Sequence, residues 1–104
     1  MNSHVQTIAG LDKVIHQPAR LMIVVLLYAV DQVDFPHLQD ETGLNKGTLS
    51  SHLFRLKEEK YVKVLKTYRG NVPQTLVTLT RAGRKAFQQY RRKIKQAIEL
   101  VRCP

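Results

Sequence analysis

The stretch from Asn45 to Leu79 constrains this chain more than any other part of it. Leucines at 49, 53 and 56 make the i, i+4, i+7 stripe of an amphipathic helix, expected over about 46–59. Asn45 is a good N-cap for it, because its side-chain oxygen can accept an otherwise orphaned backbone N–H. Two β-branched and aromatic segments follow at once, Tyr61–Tyr68 and Val72–Leu79. Arg69-Gly70-Asn71 between them reads as a turn, so the segments pair as an antiparallel hairpin. Pro73 has no N–H to donate and fits only near the start of its strand or on an edge.

The flanking elements follow from the same rules. Leu11, Val14 and Ile15 fall at helical spacing, which predicts a short helix over 10–16. Pro18 suits the first turn of a second helix, about 18–30, where its missing N–H costs nothing. The run Leu21–Val30 is apolar almost all round, so other elements are expected to pack on several of its sides. Ten residues cannot span a bilayer, which needs roughly 20. Asp31 also stands where a signal peptide would need small residues. Residues 31–35 form a connector with room for a strand of two or three residues. Pro36 opens a short helix, about 36–42, with Leu38 inward. Gly43 closes it, since glycine readily takes the left-handed conformation at a helix end. Thr80 caps a last helix from 81 to about 102. The fold class expected is mainly α with a small β-hairpin, a single domain over 1–104 with its core over about 11–80. No repeat, linker or low-complexity tract interrupts it.

Charge divides the chain. Residues 1–44 carry two basic and five acidic side chains, net −3, while residues 45–104 carry fifteen and three, net +12. A basic surface confined to one part of a small domain points to a polyanion, nucleic acid before an anionic membrane. The one cysteine, Cys103, makes no internal disulfide and fits a reducing compartment. It is expected to be a bystander thiol rather than a cross-link between two chains. His4, His16, His37 and His52 lack metal-ligand spacing. No nucleophile elbow, phosphate-binding glycine loop or dinucleotide fingerprint is present. No enzyme activity, metal or cofactor is therefore expected.

From about Leu11 to Phe87 the chain resembles winged helix-turn-helix transcriptional regulators of the MarR/ArsR type. Four stretches carry the resemblance: Ile15–Leu21, Gly43–Leu53, Leu56–Val62 and Leu79–Gly83. In this chain Gln17 stands where such proteins often have a serine cap before the proline. Gln39 and Thr42 replace the small and apolar residues usual in the third helix. The cysteine pairs of metal-sensing members are absent. The resemblance implies a winged helix-turn-helix in which the 46–59 helix enters the major groove and the hairpin is the wing.

On that helix the face opposite the leucines carries Gly47, Thr48, Ser51, Arg55 and Glu58. Lys46, Ser50 and Lys57 flank one side, and His52 the other. The DNA-binding residues expected are Asn45, Lys46, Thr48, Ser50, Ser51, His52 and Arg55. Small hydroxyls permit close approach, and arginine can clamp phosphate or guanine. His52 is read as a neutral hydrogen-bonding residue at the helix edge, with phosphate binding on protonation as the alternative. Phe54 lies off the leucine stripe. Packing under the wing or against a partner chain is its ordinary reading, contact with a thymine methyl the alternative. On the wing, Lys66, Tyr68, Arg69 and Asn71 are expected to contact the backbone or a narrow minor groove. Lys63 is a weaker candidate.

On the last helix Phe87, Tyr90, Ile94, Ala97, Ile98 and Val101 form a near-heptad seam, expected to join two chains. Residues 1–16 are expected to contribute, and folding back over its own domain is the alternative. A twofold dimer would set two recognition helices about 34 Å apart. The expected function is sequence-specific binding of double-stranded DNA by a homodimeric regulator, prokaryotic, cytoplasmic and nucleoid-associated, without membrane association. A protein- or RNA-interaction module and a non-specific architectural DNA-binding protein are the rival readings. Any effector pocket would lie at the dimer interface.

Overall fold

The structure, a computed structural model, describes residues 3–101, and only the backbone of Ser3, His4 and Leu100. The elements are α1 (Ser3–Gln6), a 3₁₀ turn (Thr7–Gly10), α2 (Pro18–Val30), β1 (Gln32–Asp34), α3 (Phe35–Thr42), α4 (Lys46–Glu58), β2 (Val62–Arg69), β3 (Val72–Leu79), α5 (Arg81–Ile98) and a closing 3₁₀ turn (Glu99–Val101). The three strands form an antiparallel sheet in the order β1-β3-β2.

Side chains start each of the longer helices. Gln17 Oε1 accepts from Arg20 N at 2.8 Å, so glutamine serves as the cap expected of serine. Asp34 Oδ1 accepts from His37 N at 2.9 Å, Asn45 Oδ1 from Thr48 N at 2.8 Å, and Thr80 Oγ1 from Gly83 N at 3.0 Å. Each such cap stabilises its helix by about 1 kcal/mol. Gly43 ends α3 at φ 72°. At the end of α4, Tyr61 N donates to Leu56 O at 3.0 Å and Lys60 N to Lys57 O at 2.9 Å. This paired pattern places Lys60 in the left-handed position of a Schellman motif, at φ 67°. The wing turn contracts to Gly70-Asn71, since Arg69 pairs with Val72. Gly70 has φ 66° while Asn71 stays at negative φ, the pattern of a two-residue hairpin with glycine first. Pro73 lies on β3 beyond the reach of β1, which pairs only with residues 76–78.

The main core joins Ile23, Val24 and Leu27 of α2, Val33, Leu38, the stripe Leu49, Leu53 and Leu56, and the wing base Val62, Val77 and Leu79. Only one side of α2 is covered. Met22, Val25 and Ala29 are exposed, so its opposite face is open, contrary to the expectation of packing on several sides.

The helix expected over 10–16 is a turn instead. Asp12 Oδ1 accepts the N–H groups of Val14 (2.9 Å) and Ile15 (3.2 Å), which turns the backbone locally. Pro18 disfavours helical backbone at Gln17. Leu11, Val14 and Ile15 are nevertheless buried, so the spacing marked burial and not a helix.

Helix α5 departs furthest from expectation. Phe87, Tyr90 and Ile94 do not form an open seam. Tyr90 clusters with Leu11 and Ile15, with Phe87 and Ile94 packed against them. Tyr90 OH lies 2.8 Å from His16 Nδ1, and the Phe87 ring is 5.0 Å from that of Tyr28. Ala97 is buried as well. A heptad-like pattern specifies a covering partner without saying that it comes from another chain, and here the N-terminal segment supplies it. Ile98 and Val101 remain exposed. The helix ends at Ile98, short of 102, and Cys103 lies outside the described residues.

Candidate functional site

The leucine stripe fixes how α4 sits, and its rotation fixes what the rest of the helix presents. Lys46, Ser50, Phe54 and Lys57 recur at intervals of four, four and three, so they share an arc of about 80° beside the leucines. The hairpin closes over that arc. Its register puts Val62, Val64, Lys66 and Tyr68 on one face with Leu79, Val77, Thr75 and Pro73 opposite. At the base this face is core. Toward the tip it turns to α4.

The result is a groove of about 880 Å³ between α4 and the wing. Lys46 and Lys57 border it from the helix, and Lys66 and Arg69 from the wing. Its apolar lining includes Phe35, Pro36, Phe54, Val64 and Pro73. Asp34 is the one acid lining it. Four cations around an apolar trough suit an anionic polymer whose backbone lies along the rim.

The expected DNA-contacting residues do not all come together. Lys46, Ser50, Lys66 and Arg69 come together at the groove. Ser51 and Arg55 lie exposed on the outer side of α4, and Arg55 Nη1 is 3.3 Å from Glu59 Oε1 in an exposed i, i+4 pair. Thr48 is half-buried, while Tyr68 and Asn71 are exposed toward the wing tip. Asn45 Oδ1 and Thr48 N are spent on the helix cap.

His52 is held from behind. Arg20 Nη1 lies 3.2 Å from its Nδ1, and Arg20 Nε donates to Val14 O at 2.6 Å. Burial, then the Arg20 charge, pushes the His52 pKa below its ordinary 6.5, so the imidazole is neutral at pH 7. With Nδ1 accepting from arginine, the ring proton sits on Nε2.

The turn over 11–17 ties three elements together. Besides the Arg20 link to α4, Asp12 Oδ2 accepts from Tyr61 OH at the wing base, and His16 meets Tyr90 on α5. Burial and the Asp12 bond hold the Tyr61 hydroxyl protonated far above the ordinary tyrosine range, and burial raises Tyr90 also.

Phe54, Lys57, Arg20 and the α3 start, Phe35-Pro36, stand outside the DNA-binding set expected from the sequence, with a thymine-methyl contact only the alternative for Phe54 and Lys57 placed on the flank of the helix. The 4-4-3 spacing of Lys46, Ser50, Phe54 and Lys57 was the available signal for two of them. Arg20 left none, because its contact with His52 spans 32 positions. Among the described residues no group of three or more His, Cys, Asp or Glu is placed to hold a metal ion. No helix among them is long and apolar enough to cross a membrane.

A family model described as a winged helix DNA-binding domain matches residues 19–98. An uncharacterized protein of Methanocaldococcus jannaschii is 30% identical over 91 residues, covering 88% of this chain and 99% of its own. The solved structure of a transcriptional regulator homologue from Pyrococcus horikoshii OT3 superposes with a TM-score of 0.87 at 24% identity, covering 96% of this chain and 98% of that one. A MarR-family transcriptional regulator from Silicibacter pomeroyi shares the fold at a TM-score of 0.64 and 20% identity, covering 95% of this chain and 62% of that one. Capped α4, two-residue wing turn and basic groove, together with the match over 19–98, place this chain in the family of winged helix DNA-binding domains.

Proposed function

We propose that this chain is a homodimeric transcriptional regulator that binds double-stranded DNA sequence-specifically. Helix α4 enters the major groove through Ser50, Ser51 and Arg55, and the wing lays Lys66 and Arg69 along the adjoining backbone or minor groove. Tyr68 and Asn71 approach the same strand from the wing tip. His52 offers Nε2–H to a phosphate, with Arg20 fixing that tautomer. The observation that carries the reading is the alignment of Lys46, Lys57, Lys66 and Arg69 around the groove between helix and wing.

The dimer reading rests on the termini. The molecule is 60 Å long and 24 × 22 Å across. Val5 and Ile8 on the N-terminal elements, and Ile98 and Val101 at the end of α5, are all exposed. These elements contact one another within the chain, so a second copy can extend the apolar cluster that α5 begins.

Selection of bound sequences from fragmented genomic DNA near physiological salt tests the function. A recurrent palindromic motif is expected. Retention without a sequence winner would make the protein architectural, and failure to retain DNA even at low salt would favour a protein- or RNA-binding module.

A further inference from the structure

Phe54 is 62% exposed, so it lies outside the core and lines the groove between α4 and the wing without being covered by it. It projects from the wing-facing arc of α4, one turn from Ser50 and three residues before Lys57, against an apolar wall that includes Phe35 and Val64. Cations stand on both sides of it: Lys46 and Lys57 on the helix, Lys66 and Arg69 across the groove. If these side chains neutralise phosphates, the ring between them is carried to the edges of the base pairs. The major-groove edge of B-DNA presents donors and acceptors at every base, and a single apolar group, the 5-methyl of thymine. A ring with no hydrogen-bonding capacity can gain there only by covering that methyl.

We propose that Phe54 is a specificity-determining residue that reads the 5-methyl group of thymine in the major groove. The inference rests on the DNA-binding reading above and adds the base chemistry that this position selects. Ser50, one turn earlier on the same arc, then faces the neighbouring base pair or its phosphate.

Replacing thymine by deoxyuridine removes the methyl and leaves base pairing intact, which isolates the interaction. In the selected duplex, each thymine is replaced singly and binding of the full chain is measured by fluorescence anisotropy. Wild type is expected to lose about fourfold in affinity at one thymine per half-site, the worth of one buried methyl. Phe54→Ala is expected to bind the thymine and deoxyuridine duplexes equally, and Phe54→Leu to keep part of the discrimination. Equal binding of all duplexes by wild type, or undiminished discrimination in Phe54→Ala, overturns the proposal. Random duplex DNA at low salt is the parallel arm. Binding there without methyl sensitivity refutes the Phe54 assignment alone, whereas no binding there refutes the DNA reading and this inference with it.

Discussion

Arg20 Nη1 lies 3.2 Å from Nδ1 of His52, joining the first turn of α2 to the middle of α4. The same guanidinium donates through Nε to Val14 O at 2.6 Å, so the turn before α2 positions α4 through one side chain. This geometry needs His52 to be neutral. Its lowered pKa agrees, with burial the larger cause and Arg20 the smaller.

Stability should therefore respond to pH through His52. Below the ordinary value of 6.5 the unfolded chain takes up a proton that the folded chain resists. The stability that neutral His52 contributes is intact above 6.5 and lost progressively as pH falls toward the lower folded value. Urea midpoints measured from pH 7.5 to pH 5 should fall more steeply for wild type than for His52→Gln. Parallel curves would show that the Arg20–His52 contact does not set the protonation state.

Gly83 is required by close approach. A Cβ at this position would lie 2.2 Å from Tyr61 O and 2.8 Å from Leu79 Cδ1. Alanine normally favours a helix over glycine, yet here it would push α5 off the base of the wing. Gly83→Ala should destabilise by about 1–3 kcal/mol in urea unfolding, the range for overpacking a tight contact. A stabilised variant would mean that α5 does not seat against Tyr61 as described.

Lys60 offers the opposite case. It occupies a left-handed position at φ 67° that glycine adopts without steric cost. Lys60→Gly should raise stability by up to about 1 kcal/mol, because the Schellman hydrogen bonds use only backbone atoms. A loss of stability would indicate that the lysine side chain contributes more than its backbone costs.

The two parts of α5 should separate by mutation. Tyr90 is buried within the chain and lies 2.8 Å from His16, so Tyr90→Ala should cost about 3 kcal/mol of folding stability. Ile98 and Val101 are exposed, so Ile98→Arg with Val101→Arg should leave the subunit folded and abolish dimerisation in analytical ultracentrifugation. A wild type that sediments as a monomer at every concentration would remove the dimer from the account.

What the sequence disclosed follows the range of the interactions involved. Asn45, Thr80 and Gly43 act within four residues of themselves, so caps and helix ends were legible. The hairpin was legible because its turn and both strands are contiguous. Strand β1 could be expected only as a short extended stretch, since it exists by pairing with β3 some 44 residues away, as Val33 does with Val77. Leu11, Val14 and Ile15 have helical spacing, but Asp12 turns the backbone beneath them. The seam on α5 was legible as a need for cover, but the cover expected was a second chain, whereas Leu11 and Ile15 of the same chain cover Tyr90. The groove depends on how far the wing curls over α4, which no local pattern encodes, and so Phe54 and Lys57 were not assigned to the site.

The central claim is that α4 and the wing form one DNA-binding surface. Its most direct test is the salt dependence of binding to a duplex, for wild type and for the combined Lys46→Ala, Lys57→Ala, Lys66→Ala, Arg69→Ala variant. For wild type, log K should fall linearly with log salt. For the variant the slope should be shallower by about 0.9 for each phosphate that is no longer neutralised, up to four. Equal slopes and affinities for the two proteins, with the variant folded, would contradict the claim.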